Sequence, residues 1–574
     1  MVRKLPWQSA GLPIPPEEKI QRRKVKRIRI VFCILSGIMI GAAFPPSRMG
    51  ILACFGLVPL LVVLSDIPDI GEGLRYTYLT MLVVHIITLN WTGGYVDMKD
   101  PYMMVAGAFV MVVHPLFFFL PVGGYLYVRR KIGSLAALSA LPFLWVAFEY
   151  CHSLTQWSFP WLTIGNTQTY DLPRIQFISV TGVYGLSFWV ITLNVLAFLL
   201  YGALSARKSR GRIPRVAWWL AASIIVLFEL PLVYGLVVVD RAQVDGAHPA
   251  MDRGSVTVGM IQPNIDPWEK WNHQGYDVVE EQMRMTEDLV RRTDRPRPQI
   301  VLWSETAVPY FLLVPANRWL VDALRARLAR EHIALLTGLP QMLIYPDSTK
   351  APRGAKLLPR TRQRYDTFNA AALLQPGMDS VQWYGKMKLV PFAERIPYAE
   401  VLSFVEFLRW DVGLGGWQVG QTRVVFHDSA SQSRFSTAIC YESVYPGFIA
   451  GFVRGGAEFL TIITIDSWWD HMSGAYQHER FAVLRAVENR RWIARCAVGG
   501  ISCYIDPFGR VYDETALFTK AECSRTIGRS SELTYYSAHG DVWAKSCTGA
   551  AFLALALSAG WNVVHRKRLK GGML

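Results

Sequence analysis

Three short stretches of this chain each carry an apolar or aromatic run onto a residue able to do chemistry. Ser436-Thr437-Ala438-Ile439-Cys440-Tyr441-Glu442-Ser443 rises like a strand and delivers a cysteine, followed by Tyr441 and Glu442. Ile300-Val301-Leu302-Trp303-Ser304-Glu305 does the same for a glutamate. Tyr384-Gly385-Lys386 presents a lysine just ahead of Leu389-Val390-Pro391-Phe392-Ala393-Glu394. A thiol attacks only as the thiolate, so it needs a base; the oxyanion that forms on a carbonyl needs a cation; the leaving group needs a proton. Glu305 as base and acid, Lys386 as the cation and Cys440 as the nucleophile supply all three. Cysteine suits an acyl transfer because its thioester stays reactive toward an amine. Taken singly, Cys440 also fits a buried cysteine finishing a strand. Glu305 likewise fits a helix cap, and Lys386 a surface charge beside Lys388. The coincidence of three such junctions in one region favours the chemistry.

The elements that must position these groups divide the chain in two. Residues 250–542 alternate strand and helix signals, with strands expected at 255–261, 299–303, 333–338, 367–374, 422–427, 435–440, 458–464 and 500–506. Helices are expected at 275–292, 315–331, 445–454 and 476–491. Near-continuous apolar strands such as Phe459-Leu460-Thr461-Ile462-Ile463 predict a sheet covered on both faces, hence a layered α/β sandwich. The rest is lipid-like. Of the 574 residues 52% are hydrophobic, and the mean hydropathy is +0.22. Apolar runs suited to spans of about 20 residues lie at 28–44, 50–66, 76–95, 103–128, 134–151, 176–202, 216–239 and 546–564. The expected domains are a basic tail at 1–26, a membrane domain with seven spans at 27–240, a catalytic domain at 241–543, and an eighth span with a basic tail at 544–574.

The net charge of +16 is concentrated in three segments, 1–30, 203–216 and 561–574, each flanking an apolar run. That is the positive-inside pattern of a membrane protein and not a nucleic-acid-binding face. Arg129-Arg130-Lys131 lies on the same side as these clusters. The N-terminus is therefore expected in the cytoplasm, and seven crossings carry the catalytic domain outside. The eight cysteines show no metal-ligand spacing, and whether Cys503 and Cys523 pair stays open. No metal or cofactor is expected. Glu149, near the outer end of the fifth span, either serves a function at membrane depth or reaches interfacial water.

Glu305, Lys386 and Cys440 in these contexts resemble the Glu-Lys-Cys triad of the nitrilase superfamily. From about residue 30 onward the chain is similar to the bacterial apolipoprotein N-acyltransferases, membrane enzymes with a nitrilase-like domain. The resemblance implies the four-layer αββα nitrilase fold beside a bundle of about eight membrane helices, in the bacterial inner membrane with the catalytic domain on the periplasmic side. It implies transfer of a fatty acyl chain from a phospholipid, through a Cys440 thioester in a ping-pong reaction, to the α-amino group of an N-terminal diacylglyceryl-cysteine of an apolipoprotein. A monomer is expected. Tyr-x-Lys-x-x-Leu matches Lys386 and not Lys388. Glu394 matches the glutamate that orients the lysine, Tyr441 and Glu442 match residues after the nucleophile, and Trp271 matches an aromatic on the substrate path. For Glu394, Tyr441 and Glu442 a structural role stays open.

Thr464-Ile465-Asp466-Ser467-Trp468-Trp469 resembles the family's Thr-Asn-Asp-x-Trp-Phe stretch, with Ile465 in place of Asn. Val498 likewise stands where Asn is usual. Phe159-Pro160-Trp161, Gln176 and Gly182-Val183-Tyr184-Gly185-Leu186-Ser187 match the membrane pattern. Gln477-His478 matches the helix that follows the site, and His478 reads as a structural residue of it. Two rival functions remain: a membrane-tethered amidase of the same superfamily, and a non-catalytic scaffold, against which the intact Glu305, Lys386 and Cys440 speak.

Overall fold

The structure is a computed structural model, and it describes residues 16–94, 101–205, 213–244, 251–267, 270, 275–352, 355–358, 361–398 and 416–571. Trp271, much of the N-terminal tail and most of the 207–215 basic cluster lie outside the described residues.

Five described helical segments are long and apolar enough to cross a membrane: Pro101–Lys131, Ser134–Ser153, Val183–Ser205, Arg215–Asp240 and Val542–Trp561. Two more helices, Pro16–Gly41 and Ile70–Thr88, pack side by side in the same direction. Arg29 pairs with Glu72 at 3.1 Å near one end. Further along, Gly37 lies against Val83 and Gly41 against Ile87. The first of these helices begins in charged sequence and the second carries Glu72 and Arg75, which is why neither matches the five in apolarity. Between them runs Gly50–Ser65, broken into a 3-10 turn at Gly50–Cys54 and a helix at Val58–Ser65. Its start is held by Gln168, whose side chain donates to the Gly50 carbonyl at 2.8 Å. Its end is capped by Arg129, which donates to the carbonyls of Leu64 and Ile67.

The α/β region holds two sheets. The first contains β1 (Ser255–Gln262), β2 (Ile300–Trp303), β3 (Ala334–Tyr345), β4 (Lys356–Leu357), β5 (Arg364–Leu374) and β6 (Gln382–Gly385). The second contains β7 (Phe426–Asp428), β8 (Ser433–Ile439), β9 (Phe459–Thr464), β10 (Ile493–Ala497), β11 (Cys503–Ile505) and β12 (Val511–Tyr512). The chain then returns to the first sheet with β13 (Ala521–Gly528), so the orders are β13-β1-β2-β3-β5-β4, with β6 on β5, and β12-β11-β10-β9-β8-β7. β1, β2 and β3 run parallel, as do β8, β9 and β10. Strand alternation sorts the side chains into layers. Ile261, Val301, Trp303, Leu335 and Leu374 pack on Met283, Leu324 and Leu328 of the helices Gly275–Arg291 and Arg318–Glu331. Their neighbours Val258, Met260, Leu302 and Leu336 share a core with Ala438, Leu460 and Ile462 of the second sheet. The helices Pro446–Arg454 and Ser473–Asn489 cover the far side, which completes the four layers.

One end of the helical region meets the α/β region. Glu488 accepts the backbone N–H of Val183, the first residue of a long apolar helix, at 2.8 Å. Gly182, just before it, has φ +67, and a Cβ there would come within 2.4 Å of the Tyr536 ring, so only glycine lets the two regions close. Gln176 donates to the Phe508 carbonyl at 3.1 Å. Glu149, buried in its helix, accepts from Trp145 Nε1 at 3.0 Å and from the Ile164 N–H at 2.8 Å. It thus holds the loop that carries Trp161 and does not reach outward.

Candidate active site

Three strand ends converge. Glu305 follows β2, Lys386 follows β6 and Cys440 follows β8, and all three are buried. Glu305 sits in a tight corner: Thr306 has φ +46, and a Cβ on Gly338 of β3 would meet the Ser304 carbonyl at 2.5 Å and Glu305 Cα at 2.7 Å. Cys440 itself has φ +50, a left-handed turn that breaks the strand at the nucleophile.

Lys386 Nζ donates to Glu305 Oε1 at 3.2 Å and to Glu394 Oε1 at 2.9 Å. Burial works against its charge, but the two carboxylates outweigh it and hold the ammonium well above the usual lysine range. Lys386 is therefore a fixed cation. Burial, with Glu305 adding to it, pushes the Cys440 thiol far up, while Lys386 acts in the opposite direction. The resting nucleophile is the thiol, so a base must take its proton during reaction.

Asn369, in the middle of β5, was not singled out by sequence, yet its Nδ2 donates to Glu305 Oε1 at 2.7 Å and to Glu394 Oε1 at 3.1 Å. The signal available was an amide inside an otherwise apolar strand. Glu394 is tied down further by the Val390 N–H at 2.8 Å. Glu442 accepts from Tyr384 OH at 2.6 Å, from the backbone N–H groups of Met387 and Lys388 at 2.6 and 3.1 Å, and from Ile439 N–H at 2.8 Å. It clamps the lysine-bearing segment to the nucleophile-bearing strand. Tyr441 turns toward the helical region, where its OH donates to the Ser158 carbonyl at 2.9 Å and its ring stacks on Phe159. Lys270 is buried with Nζ 2.9 Å from Thr306 Oγ1, and burial pushes it down to about 7.

Ile465 and Val498 are both buried beside this site. Val498 contributes backbone only: its N–H donates to the Thr464 carbonyl at 3.1 Å and its carbonyl accepts from Asn264 N–H at 2.7 Å. His478 lies 3.1 Å from the Cys440 carbonyl and 3.0 Å from Asp466 Oδ1, closer to the nucleophile than a plain helix residue. Each of the eight cysteines carries a free thiol, Cys503 and Cys523 included.

Residues 36–196 match the model of the apolipoprotein N-acyltransferase N-terminal domain, and residues 257–531 match that of carbon-nitrogen hydrolases. The apolipoprotein N-acyltransferase of Chlorobaculum tepidum is 34% identical over 535 residues, covering 92% of this chain and 96% of that protein. This chain belongs to the apolipoprotein N-acyltransferase family. The enzyme of the same name from Geobacter metallireducens is 30% identical over 97% of this chain and 99% of its own length. Apolipoprotein N-acyltransferase 2 of Treponema denticola is 27% identical over 81% of this chain and 85% of its own. The chain is thus an acyltransferase of the nitrilase superfamily, with a helical membrane region joined to a nitrilase-like α/β domain.

Proposed function

We propose that Cys440 carries the acyl chain as a thioester between a phospholipid donor and the N-terminal diacylglyceryl-cysteine of an apolipoprotein. Glu305 takes the thiol proton as sulfur attacks the ester carbonyl, and Lys386 stabilises the tetrahedral oxyanion. The oxyanion collapses, the C–O bond breaks, and Glu305 returns the proton to the departing lysophospholipid. The acceptor amine then attacks the thioester, Glu305 takes its proton, and the sulfur leaves and recovers that proton. Asn369 and Glu394 keep Glu305 and Lys386 in register.

The observation that carries this reading is the bond from Tyr441 to Ser158. It ties the residue after the nucleophile to a loop of the helical region. Drawing a phospholipid chain out of a bilayer costs about 0.8 kcal/mol per CH₂, so a nucleophile held at the membrane face avoids that step. A membrane-tethered amidase that turns over soluble amides needs no such contact between its nucleophile loop and the helical region.

The same reading takes the chain as eight crossings, with 27–240 and 544–574 in the membrane and 241–543 outside the cytoplasm. The pairings at the ends of Gly50–Ser65 support a crossing there, because Gln168 and Arg129 belong to opposite ends of the bundle. Arg129, Arg130 and Lys131 sit at the end away from the catalytic domain, where the positive-inside rule places the cytoplasm.

The test is intact-protein mass spectrometry after incubation with phospholipid alone. An acyl adduct on Cys440, discharged by a diacylglyceryl-peptide and not by water, is the expected result. Loading that requires the peptide, or hydrolysis as fast without peptide as with it, would overturn the ping-pong transferase.

A further inference from the structure

A second lysine stands behind the base. Lys270 follows β1 along the chain, and only 2% of it is exposed. Its Nζ donates to Thr306 Oγ1 at 2.9 Å and to the Glu305 carbonyl at 3.3 Å. Among the described residues it is the one donor to that carbonyl, and its Nζ meets no carboxylate oxygen at ion-pair distance. Burying an ammonium without a carboxylate in direct contact is costly, so its place needs a reason. What it adjoins is the left-handed corner at Thr306, φ +46, by which the chain leaves Glu305.

Glu305 and Lys270 act on each other. Burial works against the Lys270 charge, and Glu305 is the group that supports it. The attraction is mutual, so a charged Lys270 favours the Glu305 carboxylate over its acid. Because burial brings Lys270 down only to about 7, it carries that charge throughout the acid range. The other charged or titratable groups facing Glu305 are Lys386, which donates to its Oε1, Glu394, which shares Lys386 and the Asn369 amide with it, and the Cys440 thiol. Lys386 must also serve the substrate oxyanion. Lys270, held on the backbone side of Glu305, has no such second duty.

We infer that Lys270 is a positioning residue for the general base: it pins the Glu305–Thr306 corner and keeps the Glu305 carboxyl ionised toward lower pH, so that Glu305 meets the Cys440 thiol ready to take its proton. The inference deepens the proposed site and rests on Glu305 being its base.

The experiment is the pH dependence of acyl loading on Cys440 from phospholipid, read by intact-protein mass spectrometry on the full-length protein in detergent. Loading falls on the acid side as Glu305 takes up a proton. In Lys270→Met the midpoint of that fall should rise by about one pH unit or more, while Lys270→Arg, which keeps the charge, stays near wild type. Lys270→Gln keeps a donor and loses the charge, and its midpoint should rise as in Lys270→Met. A lysine that only braces the corner would change loading equally at every pH, so an unchanged or lowered midpoint in the neutral variants overturns the inference. If Lys270→Met does not fold, Lys270→Gln alone decides. The same midpoint is read without turnover from the Glu305 carboxyl stretch in the infrared, with Glu305→Gln in each background as the subtraction. A wild type that takes no acyl group at any pH would sink the proposed reaction, and the infrared midpoint, taken without lipid, would still decide the inference.

Discussion

The indole N–H of Trp161 donates to Gln477 Oε1 at 2.6 Å, across the seam between the helical region and the catalytic domain. Trp91 donates to the same oxygen at 3.0 Å, and Gln477 Nε2 returns a bond to the Thr88 carbonyl at 3.0 Å. The next residue is His478, in reach of the Cys440 carbonyl. A single turn of helix therefore joins two segments of the helical region, 88–91 and the loop carrying Trp161, to the nucleophile. Gln477→Leu would leave the Trp161 indole donor buried without a partner, at about 1–3 kcal/mol, while Trp91 Nε1 keeps its bond to the Thr88 carbonyl at 3.0 Å. The expected outcome is a lower melting temperature in detergent together with reduced acyl transfer, measured on the same preparation. A Gln477→Leu protein with wild-type melting would show that the seam is held elsewhere.

Within the triad, the expected losses differ in kind. Cys440→Ala abolishes the acyl adduct. Glu305→Gln removes the general base and slows transfer by about 10²–10⁴-fold. Asn369→Ala keeps the base but loses the donor shared by Glu305 and Glu394, and is expected to fall between wild type and Glu305→Gln in kcat/KM. Asn369→Asp is expected to be worse than Asn369→Ala, because a third carboxylate then crowds Lys386. Steady-state kinetics with a labelled acceptor peptide checks the order of the four variants.

Orientation can be read without activity. A reporter that works only outside the cytoplasm, fused near residue 245, is expected to be active, and the same reporter near residue 209 inactive. The opposite pattern would reverse the bundle.

Much of this was legible in the sequence because it is written in local pattern. The strands leading to Glu305 and Cys440 end where their apolar runs stop, and the expected bounds agree with the structure to within two residues. β10 and β13 escaped because Arg495 interrupts the apolar run of the first and Glu522 and Arg525 that of the second, and their pairing is supplied by distant strands. Asn369 and Asp466 escaped as site residues for a related reason. Their importance comes from partners across the sheet, a relation of register and not of spacing. The helix at 176–202 was expected to start too early, since Gln176 and Gly182 belong to short turns that dock on Phe508 and Tyr536. His478 was read as structural because nothing local reveals that its ring reaches the Cys440 carbonyl.

The last prediction concerns pH and the carboxyl of Glu442. Burial pushes this group up from 4.5 to about 7, although the N–H groups of Ile439 and Met387 and the hydroxyl of Tyr384 favour the anion. The folded protein therefore holds this proton at pH values where the unfolded chain has released it. A raised folded pKa contributes stability that is present in full below the unfolded value and is lost as pH rises through the folded value. For Glu442 the window runs from 4.5 to about 7, and the stability lost across it is about 3 kcal/mol. Glu442→Gln has no proton to release, so its stability lacks this component of the pH dependence. The gap between wild type and Glu442→Gln, measured by thermal unfolding in detergent across that window, should move against wild type as pH rises and then level off above about 7. A gap that stays constant, or that moves in favour of wild type with rising pH, would mean that the four donors hold Glu442 ionised throughout, and that the clamp between Lys386 and Cys440 is a permanent anion.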